Sequence, residues 1–310
     1  MHIVFYGAGG IGGYFGGRLL AAGEQVSFVA RGRHAQAMRE RGLRVKSPLG
    51  DAQVAVERIS DDPAALAPAD LVVFAVKWPD AEAAAARLAP LIKPDTVVLP
   101  FQNGVEIAEL LQRQLGERPV ALGAAYIPAK IAEPGVVAHA GGVAALRFGA
   151  LQPAQRPVLE AFAAACARAK VQAELVDDIR RGMWEKFVFL VGMSSLTALT
   201  RLPIAVTRSD PELRRLLQQV MDETAALARA EGIALASDFV ARQMAVVDQL
   251  PPMTKASMAH DLDAGRALEL PWLAGAVVRR SQRAGLDAAA NRFVAAALGP
   301  YAGGPPKLPQ

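Results

Sequence analysis

The stretch HIVFYGAGGIGGYFGGRLLAAG, His2 to Gly23, decides the fold. It opens on a short apolar run bounded by glycine, the pattern of a strand covered on both faces. A Gly-rich turn and a helical segment, GGYFGGRLLAAG, follow directly. Strand, glycine turn and helix in that order begin a dinucleotide-binding βαβ unit. In Gly7-x-Gly9-x-x-Gly12 the first glycine permits the tight turn and the second admits a pyrophosphate to the backbone. The third lets the helix pack close to the strand. The phosphates then meet N–H groups at the positive end of the helix. Gly7, Ala8, Gly9, Gly10, Ile11 and Gly12 are the candidate phosphate cradle; a purely structural Gly-rich turn is the alternative.

The alternation continues outward from this unit. QVSFVA, LVVFAV and TVVLPF read as short buried strands, and DAEAAAARLAPLI and VEIAELLQRQL as helices between and after them. Strands alternating with helices indicate a parallel sheet. GVVAHA and VAALRFG read as two later strands, antiparallel to each other, extending that sheet at one edge. From about residue 153 helical spacing takes over, in PVLEAFAAACARAK, IRRGMWEKFVFLVGMSSLTALT, DPELRRLLQQVMDETAALARAEG, SDFVARQMAVVDQL, KASMAHDLDAG and PWLAGAVVRRSQRAG. The tail GPYAGGPPKLPQ is expected to be irregular. The expected fold is an α/β N-terminal Rossmann domain, doubly wound with a mainly parallel sheet, plus an all-α helical C-terminal domain. Residues 1–170 form the first and bind NADP(H); residues 171–310 form the second, for substrate binding and dimerisation as a homodimer.

Composition narrows the function classes. At 310 residues the chain exceeds the size at which one core stops growing, which favours two domains. The balance of 34 basic against 30 acidic residues leaves +4, and no basic run is interleaved with aromatics, so no nucleic-acid partner is expected. A single cysteine, Cys166, allows no internal disulfide and suits a reducing compartment. No leader pattern precedes the first strand and no apolar run is long enough to span a membrane, so a cytoplasmic location without membrane association is expected. His2, His34, His139 and His260 lack ligand-like spacing, and no metal is expected.

The second strand ends in Arg31 where NAD enzymes commonly carry an acidic residue, and a guanidinium suits the 2′-phosphate of NADP(H). Arg33 is near enough in sequence to assist, while a solvated surface charge is the plainer reading of Arg31. Lys77 and the QNG triplet containing Asn103 follow successive strands, at the ends where ligands lie in open α/β sheets. Together they read as a cofactor-facing rim; taken singly, Asn103 fits a turn or cap and Lys77 a helix-start charge.

The most unusual segment is Ile179 to Thr200, apolar on nearly every side, with Lys186 set between Trp184 and Phe187. An ammonium there is costly unless paired, and its pKa is lowered if it is desolvated. Snorkelling of the stem to the surface is the alternative. Glu269, two residues before Pro271, falls at a helix start, where a carboxylate is favoured.

The ordered set GAGGIG, Arg31, VKWPD, QNG, MWEKFVFL with LTAL, and SMAHDLDAGRALEL resembles the ketopantoate reductase (2-dehydropantoate 2-reductase) family over nearly the whole chain. The resemblance implies NADPH-dependent reduction of a small-molecule 2-oxo acid. By position it makes Lys186 the proton donor, with Glu269 beside it and the cofactor, and sets Lys77 and Asn103 near the nicotinamide half. It makes Ser257 a substrate-holding serine within a contacting stretch, Thr254 to Ser257. Pantoate-forming members carry asparagines four and eight residues after the lysine and another after the following proline. Here these positions are Leu190, Ser194 and Ile204, and an amide usual after the glutamate is Ala274. Positions i, i+4 and i+8 share a helix face, so Lys186, Leu190 and Ser194 are expected to line one wall of a more apolar substrate site. Two other readings stay open: a 2- or 3-hydroxyacid dehydrogenase with a different, more apolar substrate, and a non-catalytic NADP(H)-binding sensor.

Overall fold

Every residue of HIVFY is buried in the computed structural model, which describes residues 1–306. This strand, β1 (His2–Tyr6), turns through the glycines into α1 (Gly10–Ala21). β2 (Gln25–Val29), α2 (Gly32–Arg41), β3 (Leu43–Lys46), β4 (Ala52–Val54) and β5 (Ile59–Ser60) follow. After them come β6 (Leu71–Phe74), α3 (Trp78–Ala85), β7 (Val97–Pro100) and α4 (Ile107–Leu115). The central sheet is parallel in the order β5-β2-β1-β6-β7, with Val4 paired to Ser27 on one side and Val72 on the other. The chain winds outward in both directions from β1, so the switch point lies between β1 and β6, where doubly wound sheets take their ligands.

The remaining strands are β8 (Leu122–Tyr126), β9 (Ala129–Glu133), β10 (Val136–His139), β11 (Ala145–Gly149) and, after α5 (Arg156–Arg168), β12 (Gln172–Leu175). GVVAHA and VAALRFG are strands, β10 and β11, but they do not pair with each other. β10 makes an antiparallel hairpin with β9 and runs parallel to β3 in the sheet β4-β3-β10-β9. β11 lies between β8, antiparallel, and β12, parallel. The hairpin wins because Pro134-Gly135, with Gly135 at φ +84°, closes it locally. The edge extension exists all the same: Val98 on β7 bridges to Val120, just ahead of β8.

The chain divides into two compact units. The first holds Met1–Gln102 and Ile107–Ile179; the second holds Asn103–Glu106 and the chain from Arg180. The division falls after Ile179 and not after residue 170, because β12 completes a sheet of the first unit by pairing with β11. The core of that unit gathers Phe5, Phe15, Phe28, Leu99, Phe148 and Phe162.

The second unit is helical, with α6 (Ile179–Thr200), α7 (Ile204–Ser209), α8 (Pro211–Ala230), α9 (Phe239–Gln249), α10 (Ser257–Asp263), α11 (Ala274–Arg283) and α12 (Ala289–Leu298). Its core centres on α6 through Trp184, Phe187, Val188 and Val191. α6 ends where Arg201 enters the left-handed region at φ +58° and Pro203 follows. α7 and α12 carry no strong sequence signal. The start of α12 is capped from α8, where the Glu223 carboxylate accepts from the N–H groups of Ala290 at 2.8 Å and Asn291 at 2.9 Å. Within the tail, residues 299–301 form a 3₁₀ turn, and Lys307 to Gln310 lie outside the described residues. Among the described residues no helix is long and apolar enough to cross a membrane.

The glycine turn sets a sharp test of this fold. A Cβ on Gly12 would stand 1.9 Å from the Gly7 carbonyl oxygen, whereas one on Gly9 meets nothing within 4 Å. Gly12→Ala should therefore lower the thermal midpoint by roughly 5 °C or more, as overpacking against backbone does. Gly9→Ala should leave it within about 2 °C of the parent in the same melt.

Candidate active site

The glycine turn forms as a left-handed Gly7, at φ +104°, followed by Gly9 in the extended region as the N-cap of α1. No side chain caps this helix and its first turn has no acidic residue. Its start is thus left to an anion, and Gly9 leaves open space for one to approach. These features fit the pyrophosphate of a dinucleotide, and the residues concerned are those singled out in the sequence, Gly7 to Gly12. Arg31 is the N-cap residue of α2 and is exposed. Its guanidinium pairs with Asp80 of α3 at 2.7 Å, a surface pair that a phosphate can exchange for. Arg33 is exposed beside it. Lys77 is the exposed N-cap residue of α3, and Gln102 is buried, donating from Nε2 to the Val76 carbonyl at 2.9 Å. That bond ties together the chain ends leaving β6 and β7.

In the helical unit, Lys186 lies half-buried on α6, flanked by Trp184 and Phe187, whose rings meet edge to face at 5.5 Å. Its Nζ donates to Asn103 Oδ1 at 3.1 Å, and Asn103 Nδ2 donates to Glu269 Oε2 at 3.0 Å. With a cation on one side and a carboxylate on the other, the amide has one sensible orientation. Loss of hydration pulls the Lys186 pKa down to about 8, against the opposing pull of the Glu269 carboxylate. Glu269 is the N-cap residue of the 3₁₀ turn Leu270–Trp272 but caps it with no side-chain hydrogen bond, its carboxylate being turned to Asn103.

Asn103 is the residue whose part the sequence understated. The QNG triplet marks it as a polar point at a strand end. Its grouping with the helical unit, between lysine and glutamate, depends on residues far away in the chain.

The face of α6 that carries Lys186 closes with depth. Leu190 is half-buried and packs on the helical core, Ser194 is 1% exposed, and its hydroxyl has no hydrogen-bond partner among the described residues. Ile204 is a core residue of α7. Ser257 begins α10 and is exposed. The stretch leading to it is held in place: the Thr254 carbonyl accepts from Ile204 N–H at 2.9 Å, and Ala256 N–H donates to Thr197 Oγ1 at 3.2 Å.

A doubly wound nucleotide-binding unit and a helical unit with a desolvated lysine in an amide–carboxylate chain define a dinucleotide-dependent oxidoreductase. Comparison with known proteins makes the class particular. The family "Ketopantoate reductase PanE/ApbA" matches residues 3–153, and its "C terminal" counterpart matches residues 178–302. The 2-dehydropantoate 2-reductase of Halobacterium salinarum is 32% identical over 283 residues, 91% of this chain and 92% of its own. The structure of a PanE/ApbA family ketopantoate reductase from Ralstonia eutropha JMP134 superposes with a TM-score of 0.88 at 35% identity, covering 97% of this chain and 98% of that one. The 2-dehydropantoate 2-reductase from Geobacter metallireducens GS-15 gives 0.89 at 29% identity, with 96% and 99% covered. The chain belongs to the ketopantoate reductase family, oxidoreductases that act on CH–OH groups and use NADPH.

The Glu269 carboxylate raises the Lys186 pKa, so removing its charge must lower it further. Glu269→Gln should move the lysine-linked limb of the pH–rate profile below about 8, toward neutrality. A limb that stays put or rises contradicts the coupling.

Proposed function

We propose that this protein reduces a 2-oxo acid to the 2-hydroxy acid with NADPH, with Lys186 as the proton donor. The observation that carries the reading is the Lys186–Asn103–Glu269 chain, at 3.1 and 3.0 Å, in a family of 2-dehydropantoate 2-reductases. When bound, NADPH supplies the hydride that adds to the carbonyl carbon. The electron pair of the carbonyl π bond then resides on oxygen, and a proton from Lys186 Nζ quenches the developing alkoxide. Asn103 accepts one N–H of the ammonium and so aims the others. Glu269 offsets the cost of the desolvated charge while leaving the lysine acidic enough to give up its proton near neutral pH. The glycine turn holds the phosphates and Arg31 the 2′-phosphate, with Lys77 at the rim. Ser257 receives the substrate. A cytoplasmic location and a homodimer belong to the same reading.

The substrate's tail is the second point. Leu190 on the lysine face, with Ser194 and Ile204 withdrawn into the core, supports a substrate with fewer hydroxyl groups than ketopantoate. NADPH oxidation across a panel of 2-oxo acids should show ketopantoate surpassed by members with apolar tails. Ketopantoate preferred by a wide margin overturns that point alone.

Lys186→Ala should abolish turnover and leave NADPH binding within about twofold, which also separates an enzyme from a cofactor-binding sensor. In the parent, reduction needs the ammonium form. Its rate should therefore fall as pH rises through about 8, while the reverse oxidation rises there. Retained turnover in the variant rejects the donor assignment.

A further inference from the structure

The glycine turn is held from outside by a residue that the dinucleotide motif does not include. His34, on the first turns of α2, places Nε2 3.0 Å from the Ala8 carbonyl oxygen. On the other side of the ring, Nδ1 lies 3.0 Å from the N–H of Gly135, in the β9–β10 turn. The Gly135 N–H can only donate, so Nδ1 must be the bare, accepting nitrogen. The ring proton then sits on Nε2 and is donated to Ala8. Both bonds exist together only in this one neutral tautomer. Burial holds the imidazole pKa below its ordinary value, in keeping with that form.

The Ala8 carbonyl belongs to the same peptide plane as the Gly9 N–H. In a trans peptide these two groups point to opposite sides. Fastening the carbonyl oxygen toward α2 therefore turns the Gly9 N–H away from α2, and it keeps a carbonyl dipole out of the path of an anion. The β9–β10 hairpin backs the same turn closely, since a Cβ on Gly10 would stand 2.2 Å from the Ala129 carbonyl oxygen. His34 is thus the polar link among three pieces of backbone: the cradle, α2 and the hairpin. Hydrophobic packing alone would fix their separation but not the rotation of the Ala8–Gly9 peptide, because neither rotamer of that plane changes buried apolar area much.

We propose that His34 is a positioning residue for the cofactor, setting the Ala8–Gly9 peptide so that the Gly9 N–H faces the dinucleotide phosphates. This rests on the reading that the glycine turn holds NADPH. Its chemistry is confined to the neutral phosphate-facing amide; no proton or electron moves through the imidazole.

The ring's two bonds can be separated by substitution. In His34→Gln the side-chain amide nitrogen takes the reach of Nε2 and can donate to Ala8. In His34→Asn the shorter amide reaches the position of Nδ1, toward Gly135. In His34→Leu neither bond forms. NADPH affinity, measured by quenching of intrinsic fluorescence on the full chain, should weaken by roughly tenfold in His34→Leu and His34→Asn, the effect of one lost orienting hydrogen bond. His34→Gln should stay within about threefold of the parent. The KM for NADPH should follow the same order, while kcat at saturating NADPH changes little, because Lys186 and its partners lie in the other unit. Thermal melts of the ligand-free variants supply the control: a purely structural histidine would make affinity track the melting midpoint across all three. Parent-like NADPH affinity in His34→Leu, or affinity that tracks stability alone, overturns the positioning role. A parent protein that binds no NADPH overturns the reading of the glycine turn, and with it this one.

Discussion

A lysine stripped of its water is the constraint around which the helical unit is arranged. Desolvation alone would drive Lys186 toward the neutral amine, which can orient a substrate but has no proton to give easily. A carboxylate in direct contact would do the opposite, locking the ammonium in a tight pair with a raised pKa. Lys186 lies between these extremes, with Asn103 hydrogen-bonded to both the lysine and the carboxylate. The Glu269 carboxylate opposes desolvation only in part, and Lys186 settles near 8. An acid poised near ambient pH is what proton transfer to an alkoxide requires.

That arrangement depends on where Asn103 is anchored. Although it follows β7 in sequence, the segment Asn103–Glu106 belongs to the helical unit. Val105 packs against that unit's core, and Glu106 accepts from Arg279 at 2.8 Å. Arg280, nearby on α11, is bound through two 2.6 Å hydrogen bonds to Glu231, and its side chain is only 13% exposed. The Arg280–Glu231 pair, so far withdrawn from water, is costly to break from one side. The Arg279–Glu106 pair, with Arg279 44% exposed, fastens a short, otherwise turn-like segment to the same helix whose preceding turn carries Glu269. The amide, the lysine and the carboxylate thus share one rigid support, and side-chain geometry within about half an ångström becomes possible without a ligand.

The parts of this molecule that follow local rules were legible in the sequence. HIVFY with GAGGIGG specified strand, cradle and helix, and the bounds of α6 followed from an apolar run stopped by Pro203. Lys186 stood out because its residue type conflicts with its neighbours. What was not legible involves partners chosen at long range. Alternating patterns in GVVAHA and VAALRFG identify strands but not neighbours, so β10 and β11 were expected to pair and instead join different sheets. β12 hides in QAEL, whose burial is partial and whose strand character comes only from β11 beside it. α12 needs a carboxylate from α8 to begin. The bonds of Asn103 to Lys186 and Glu269 were not legible because nothing local to QNG reveals those partners, and His34 looked like a lone histidine because nothing local reveals Ala8 or Gly135.

These two ways of fixing function have different tolerance to change. The glycine turn is specified by backbone: Gly7 and Gly12 are held by steric contacts that a single methyl would violate. The lysine is placed by three side chains in one hydrogen-bonded line. The face of α6 beyond Lys186 answers to neither constraint. Leu190 packs on the core as an aliphatic, the buried Ser194 hydroxyl has no hydrogen-bond partner among the described residues, and Ile204 is interior. Of the three, only half-buried Leu190 keeps part of its surface outside the core, four residues beyond Lys186 on the same helix face. Under the proposed function, reaction type and substrate selection therefore rest on separate residues of this chain.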